Sequence, residues 1–170
     1  MKKIFVLLLI LTSTKLTAQN TMMADTISVN SINGILNKML SIISGEKGKK
    51  RNWDDFRKLF LPTAYFIVLN NNDSTLRPID TVTLEQFISS MNDAYYNNGY
   101  IEYEINKVVN EYNGIANVFQ TFYGKDSENR EEKGINSYQL VYFNHRWWIA
   151  NLLWTGDSNG VKVPKKYLSH

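Results

Sequence analysis

The run "YQLVYFNHRWWIANLLW", Tyr138 to Trp154, decides the fold. Two apolar, alternating segments flank Asn144-His145, which predicts an antiparallel hairpin on a two-residue turn. Counting outward from that turn pairs Tyr142 with Trp147, Leu140 with Ile149 and Tyr138 with Asn151. Successive strand side chains leave on opposite faces, so the adjacent Trp147 and Trp148 must part. One face carries Tyr138, Tyr142, Trp147, Ile149 and Asn151, and is expected to wall an interior. The other carries Gln139, Arg146, Trp148, Leu152 and Trp154. That mix of polar groups and tryptophans predicts an outer surface covered by something else.

The preceding hairpin is signalled more strongly. "YIEYEINKVV" and "IANVFQTFYG" flank Asn113-Gly114, a preferred pair for tight hairpin turns. The turn sets Tyr112 against Ile115, Val109 against Val118, Lys107 against Gln120 and Ile105 against Phe122. The face holding Ile105, Val109, Ala116, Val118 and Phe122 is the more apolar and is assigned inward. Lys107 and Gln120 then lie side by side near the interior, where a cation and an amide would anchor an acidic or carbonyl ligand. With this parity Glu102 and Glu104 point to solvent.

Before Tyr100 the period is helical. Ile32, Ile35, Leu36, Met39, Leu40 and Ile43 form one stripe over about Ser31–Ser44. Asn52 is a good N-cap for a short helix "WDDFRKLF" ended by Pro62, with Asp54 and Asp55 in its first turn. "AYFIVL" (64–69) reads as a strand, with "NNNDS" the loop after it. Thr83 and Gln86 make a capping box for a third helix bearing Leu84, Phe87, Ile88, Met91 and Tyr95 on one face. "NNG" at 97–99 closes it. Helices followed by a meander predict an α+β domain with three N-terminal helices in the concave face of a curved, mainly antiparallel sheet.

The N-terminus predicts export. Lys2 and Lys3 precede an apolar run Ile4–Leu11, too short to span a bilayer, and Ala18 offers a cleavage point. The expected organisation is a signal peptide at 1–18, a flexible lead-in at 19–30, one domain at 31–154 and a weakly structured tail at 155–170, in a periplasmic or secreted protein. Of 19 basic and 16 acidic residues, Lys2, Lys3 and Lys15 leave with the signal. The mature chain is then near neutral, which removes the charge argument for nucleic acid. Without cysteines there is neither disulfide nor thiolate.

Three segments carry a resemblance: "ISGEKGKKRNWDDFRKLFLPTAYFIVL" (43–69), "GIANVFQTFYG" (114–124) and the opening run, which ends as W-x-I-x-x-x-x-W. With these the chain resembles the nuclear transport factor 2-like superfamily, in an exported bacterial branch. This is the cone fold shared with ketosteroid isomerase, scytalone dehydratase and the SnoaL-type cyclases. The resemblance implies a small-molecule cone and a homodimer through the outer sheet. It does not fix an activity, because one fold hosts enzymes, binders and adaptors. Enzymes of this shape place an acid or a histidine in the cone. In similar proteins a pocket histidine follows the strand tryptophan by four residues; here that position is Asn151, which cannot act as a general base.

No catalytic residue, metal site or cofactor is therefore assigned. Asp54 and Asp55 are explained as first-turn residues, Asp80 and Asp93 as exposed, His145 as a turn residue and "GEKGKKR" (45–51) as a solvated basic loop. The candidate pocket residues are Tyr65, Lys107, Gln120, Tyr138, Tyr142, Trp147 and Asn151. Trp148, Leu152 and Trp154 are the candidate dimer interface. The expected function is binding of a small, partly apolar ligand without catalysis. The alternatives are an isomerase, dehydratase or cyclase using the same pocket, or a dimeric interaction module. Neither nucleic acid nor, after signal removal, membrane is expected as a partner.

Overall fold

A computed structural model describes residues 28–69 and 79–169. The expected signal peptide, most of the lead-in, the "NNNDS" loop and His170 lie outside the described residues. Three helices, α1 (Ile32–Ile43), α2 (Trp53–Arg57) and α3 (Leu84–Asn98), pack on one face of a sheet of six strands. These are β1 (Phe60–Leu69), β2 (Ile79–Thr83), β3 (Ile101–Tyr112), β4 (Ile115–Lys125), β5 (Glu131–Phe143) and β6 (Arg146–Gly156), in the order β2-β1-β6-β5-β4-β3. The sheet is mixed: β1 runs parallel to β6, while the other neighbours are antiparallel. Among the described residues no helix is long and apolar enough to cross a membrane.

The helices form where capping and periodicity coincide. Ser31 accepts from the Gly34 amide at 3.0 Å and starts α1, whose stripe is buried from Ile32 to Ile43. No basic residue sits in its last turn. Instead Arg51 donates through Nε to the Ile43 carbonyl at 2.7 Å, filling an acceptor that the helix end leaves open, and through Nη2 to the Gly45 carbonyl at 2.7 Å. The Thr83–Gln86 capping box is present, and Gly99 takes φ 65° as the chain leaves α3. Phe56, Phe60, Phe66 and Phe87 form the aromatic centre of the core; the Phe66 and Phe87 rings stack at 4.5 Å.

Five expectations are corrected. The second helix stops at Arg57, and the following strand begins at Phe60 with Pro62 inside it. Pro62 is tolerated because the β1–β6 register is irregular between Phe60 and Tyr65, where a missing amide breaks no ladder. A sixth strand, β2, was not foreseen; its "IDTVT" pairs with β1 as Tyr65↔Thr83 to Leu69↔Ile79. The tail folds onto the sheet: Thr121 Oγ1 donates to the Tyr167 carbonyl at 2.6 Å, and Tyr167 packs on Phe119 at 5.1 Å. Finally, two β-bulges change the parity of both hairpins.

Both turns are where they were predicted, with positive φ at Asn113, Gly114, Asn144 and His145. Next to them the register is as counted: Tyr112↔Ile115, Val109↔Val118 and Lys107↔Gln120 in one hairpin, Tyr142↔Trp147 and Leu140↔Ile149 in the other. Ile105 then stands as an extra residue, so that Glu104, not Ile105, faces Phe122 and Glu102 faces Gly124. Likewise Ala150 is extra in β6, so that Leu152, not Asn151, faces Tyr138 and Trp154 faces Asn136. Each bulge transfers every side chain beyond it, counted from the turn, to the face opposite the one expected.

Candidate functional site

Between α1, α3 and the inner face of the sheet lies a cavity of about 450 Å³. Met39 and Ile43 of α1, Phe87, Met91 and Tyr95 of α3, and Phe122, Leu152 and Trp154 of the sheet give it apolar walls. Its polar end is made by Tyr100, Glu102, Glu132 and Asn136, with Ser90 also on the lining.

Glu102 is in the cavity because of the bulge at Ile105, and several contacts fix it there. Its amide donates to Ser44 Oγ at 2.9 Å, and Ser44 Oγ donates back to its carbonyl at 3.1 Å. A short bridge between Gly45 and Tyr100 continues this rail. The Tyr100 hydroxyl donates to Glu102 Oε2 at 2.7 Å, and Asn136 Nδ2 donates to Oε1 at 2.8 Å. A Cβ at Gly124 would stand 2.5 Å from the Tyr100 oxygen, so the phenol reaches Glu102 only because residue 124 is glycine.

The polar end continues behind the cavity as a buried network. Asn136 Nδ2 and the Tyr138 hydroxyl both donate to Gln120 Oε1, at 3.3 and 3.1 Å. Gln120 Nε2 donates to Glu104 Oε2 at 2.7 Å, and Glu104 also holds the Lys107 ammonium. Every donor in this chain has an acceptor, as burial requires.

Burial pushes the Glu102 carboxyl up to about 7, against the two donors that favour its charged form, and the Glu132 carboxylate adds to the rise. Burial, and then the neighbouring Glu102 charge, also push the Tyr100 phenol well above its usual range. The Tyr95 and Tyr138 phenols move the same way for the same reasons. At neutral pH the site thus holds a carboxyl that exchanges its proton readily beside a phenol that keeps its own. Such a group can accept or donate a hydrogen bond or a proton toward a bound molecule.

The predicted pocket residues are dispersed. Tyr65 is 50% exposed on the outer face. Asn151 is there too, accepting from the Tyr65 amide at 3.2 Å and donating to Gln139 at 3.4 Å, so it stitches the bulge rather than facing a ligand. Lys107 is neutralised by Glu104, and Gln120 and Tyr138 are fully buried behind Asn136. Trp147 is buried on the inner face but off the cavity, with Tyr142 against it at the exposed hairpin end. Trp148 lies on the outer face under the Arg146 guanidinium, 3.9 Å from the ring centre. Leu152 and Trp154, expected outside, line the cavity, and Trp154 meets Phe87 edge-on at 6.0 Å. Asn151 therefore does not exclude an acid or base in the cavity, because its position faces away from it. The one sequence signal for Glu102 was Gly124, a strand glycine opposite it that marks close approach.

Among the described residues no group of three or more His, Asp or Glu side chains is placed to hold a metal ion. No family model and no curated relative matches the sequence. Solved structures do. A nuclear transport factor 2-like protein from Cytophaga hutchinsonii aligns with a TM-score of 0.57 at 13% identity, over 72% of this chain and 92% of that one. A nuclear transport factor 2-like superfamily protein from Salmonella enterica aligns at 0.56 and 14%, over 80% and 92%. The beta subunit of benzoate 1,2-dioxygenase from Burkholderia mallei aligns at 0.60 and 9%, over 80% and 94%. At these identities the likeness concerns architecture, and the architecture is clear: the chain has the nuclear transport factor 2-like cone fold.

Proposed function

We propose that this chain is an exported binding protein that holds one small, partly apolar ligand in the cone, with Glu102 and Tyr100 as its polar anchor. The observation that carries this reading is the cavity itself: about 450 Å³, apolar on most sides and polar at one end. That is the usual make-up of a small-molecule site. Export rests on Lys2, Lys3 and the apolar run Ile4–Leu11. Native mass spectrometry of the protein recovered from the periplasm or medium tests both parts. A retained small molecule on a chain starting near residue 19 supports them. A chain that keeps its N-terminus and carries nothing, even after incubation with cell extract, refutes them.

A second reading is favoured by one observation, the Glu102 carboxyl poised near neutrality beside Tyr100. That pair fits general acid–base catalysis of isomerase, dehydratase or cyclase type. The same experiment separates the readings. A ligand returned unchanged after prolonged incubation supports binding, and a molecule of altered mass or structure supports catalysis.

The outer sheet is proposed as a homodimer surface, now without Leu152 and Trp154. Trp148 stays on that face, and Tyr112, Ile115 and Phe143 are exposed near it, at 79, 62 and 58%. Light scattering after size exclusion tests this; a monomer at micromolar concentration contradicts it.

A further inference from the structure

The charge of the cone's lining is unbalanced. Glu102 and Glu132 both face the cavity, and among the described residues no lysine or arginine lines it. Neither of the nearby cations, Lys107 and Arg51, lines the cavity. Lys107 pairs with Glu104 on the far side of Gln120. Arg51 gives its guanidinium hydrogen bonds to the backbone carbonyls of Ile43, Lys49, Gly45 and Tyr100. Glu102 has a donor on each oxygen, but both donors are neutral, so its hydrogen bonds are met and its charge is not. A buried carboxylate in that condition is short of a counter-ion. The walls would suit one: the rings of Phe87, Tyr95, Tyr100, Phe122 and Trp154 all border the space, and aromatic faces attract cations.

We propose that the ligand of this cone is an organic amine, an ammonium group on an apolar or aromatic body, with the ammonium at Glu102 and Glu132 and the body against Phe87, Met91 and Trp154. This rests on the reading of the cone as a small-molecule site and names the ligand class. An anionic ligand would meet two carboxylates without a cation. A neutral one would leave Glu102 to be neutralised by a proton instead of a counter-ion.

The ammonium would favour the ionised carboxyl, so binding must strengthen as Glu102 loses its proton. The groups facing Glu102 are Tyr100 just before β3, Tyr95 from α3, and Asn136, Tyr138 and Glu132 from β5. The phenols keep their protons through the neutral range, so Glu102 dominates the change between pH 6 and 8.

The test uses three probes of one shape: 2-phenylethylamine, 2-phenylethanol and phenylacetate, titrated calorimetrically into the full mature chain. At pH 8 the amine is expected to bind at least tenfold more tightly than the alcohol, and the acetate most weakly. The preference should shrink severalfold at pH 6, and in Glu102→Gln at both pH values. Glu132→Gln, farther up the wall, should weaken the amine by a smaller factor and provides the check if Glu102→Gln fails to fold. Alcohol or acetate bound as tightly as the amine overturns the amine proposal and leaves the cavity reading standing. Binding of none of the three at millimolar concentration overturns both.

Discussion

The Tyr100 phenol, one residue before β3, and the Glu102 carboxyl on β3 meet at 2.7 Å inside the cone, and the glycine across the ladder makes the meeting possible. The pair sits on the inner face because one residue, Ile105, is extra in β3. Local backbone irregularity thus sets the chemistry of the site.

Gly124→Ala would place a methyl 2.5 Å from the Tyr100 oxygen. The phenol must move, and the strain costs on the order of 1–3 kcal/mol. Glu102 then keeps only the Asn136 donor, and because both donors hold its carboxyl down, its titration moves above about 7. Tyr100→Phe should shift it the same way without the strain. Carboxyl chemical shifts followed against pH check both variants.

Glu102 also makes stability depend on pH. Its ordinary value of 4.5 rises to about 7 on folding, so the unfolded chain releases this proton first. The protonated group favours the fold below pH 4.5, and this contribution is lost as pH rises from there through 7. The difference amounts to about 3 kcal/mol. Glu102→Gln should therefore lose this component, and its stability relative to wild type should improve as pH goes from 5 to 8. Urea denaturation at the two pH values measures it.

Asn151→Ala should leave the cavity untouched. It removes the acceptor for the Tyr65 amide on the outer face and is expected to cost about 1 kcal/mol. Binding of a cavity probe should stay within twofold. Trp154→Ala, three residues on, should cost about 3–5 kcal/mol and change probe binding strongly, since Trp154 is a cavity wall.

Truncation after Gly156 would uncover Thr121 and Asn106, whose side chains hydrogen-bond the Tyr167 and Ser169 carbonyls. Each broken bond is worth about 1 kcal/mol, and Phe119 loses the Tyr167 ring. A lowered urea midpoint with the secondary structure retained is the expected result.

These outcomes also mark how far the sequence could be read. The α1 stripe, the Thr83–Gln86 box and the Asn113-Gly114 turn are local devices whose residues state their own geometry, and they stand in the structure as expected. Pairing was right beside each turn and failed beyond the first bulge, because neither Ile105 nor Ala150 differs chemically from an ordinary strand residue. Ile101 and Tyr103 strengthened the error: they are apolar yet 47 and 52% exposed, so apolar parity pointed the wrong way. β2 was hidden because "IDTVT" adjoins a strong helix start and gains its partner only through tertiary pairing with β1. The site was illegible for the same reason as the register: its residues come from all three helices and all six strands, and a one-residue slip exchanges which strand residues face the cone.

The central claim is that a carboxyl titrating near neutrality stands in the cone at Glu102. Carbon-13 NMR of the side-chain carboxyls of the mature chain, labelled at glutamate and followed from pH 3 to 9, tests it most directly. The account predicts one glutamate with a midpoint near 7, absent from Glu102→Gln and moved downward when 2-phenylethylamine binds. A Glu102 signal titrating near its ordinary value of 4.5 would contradict it.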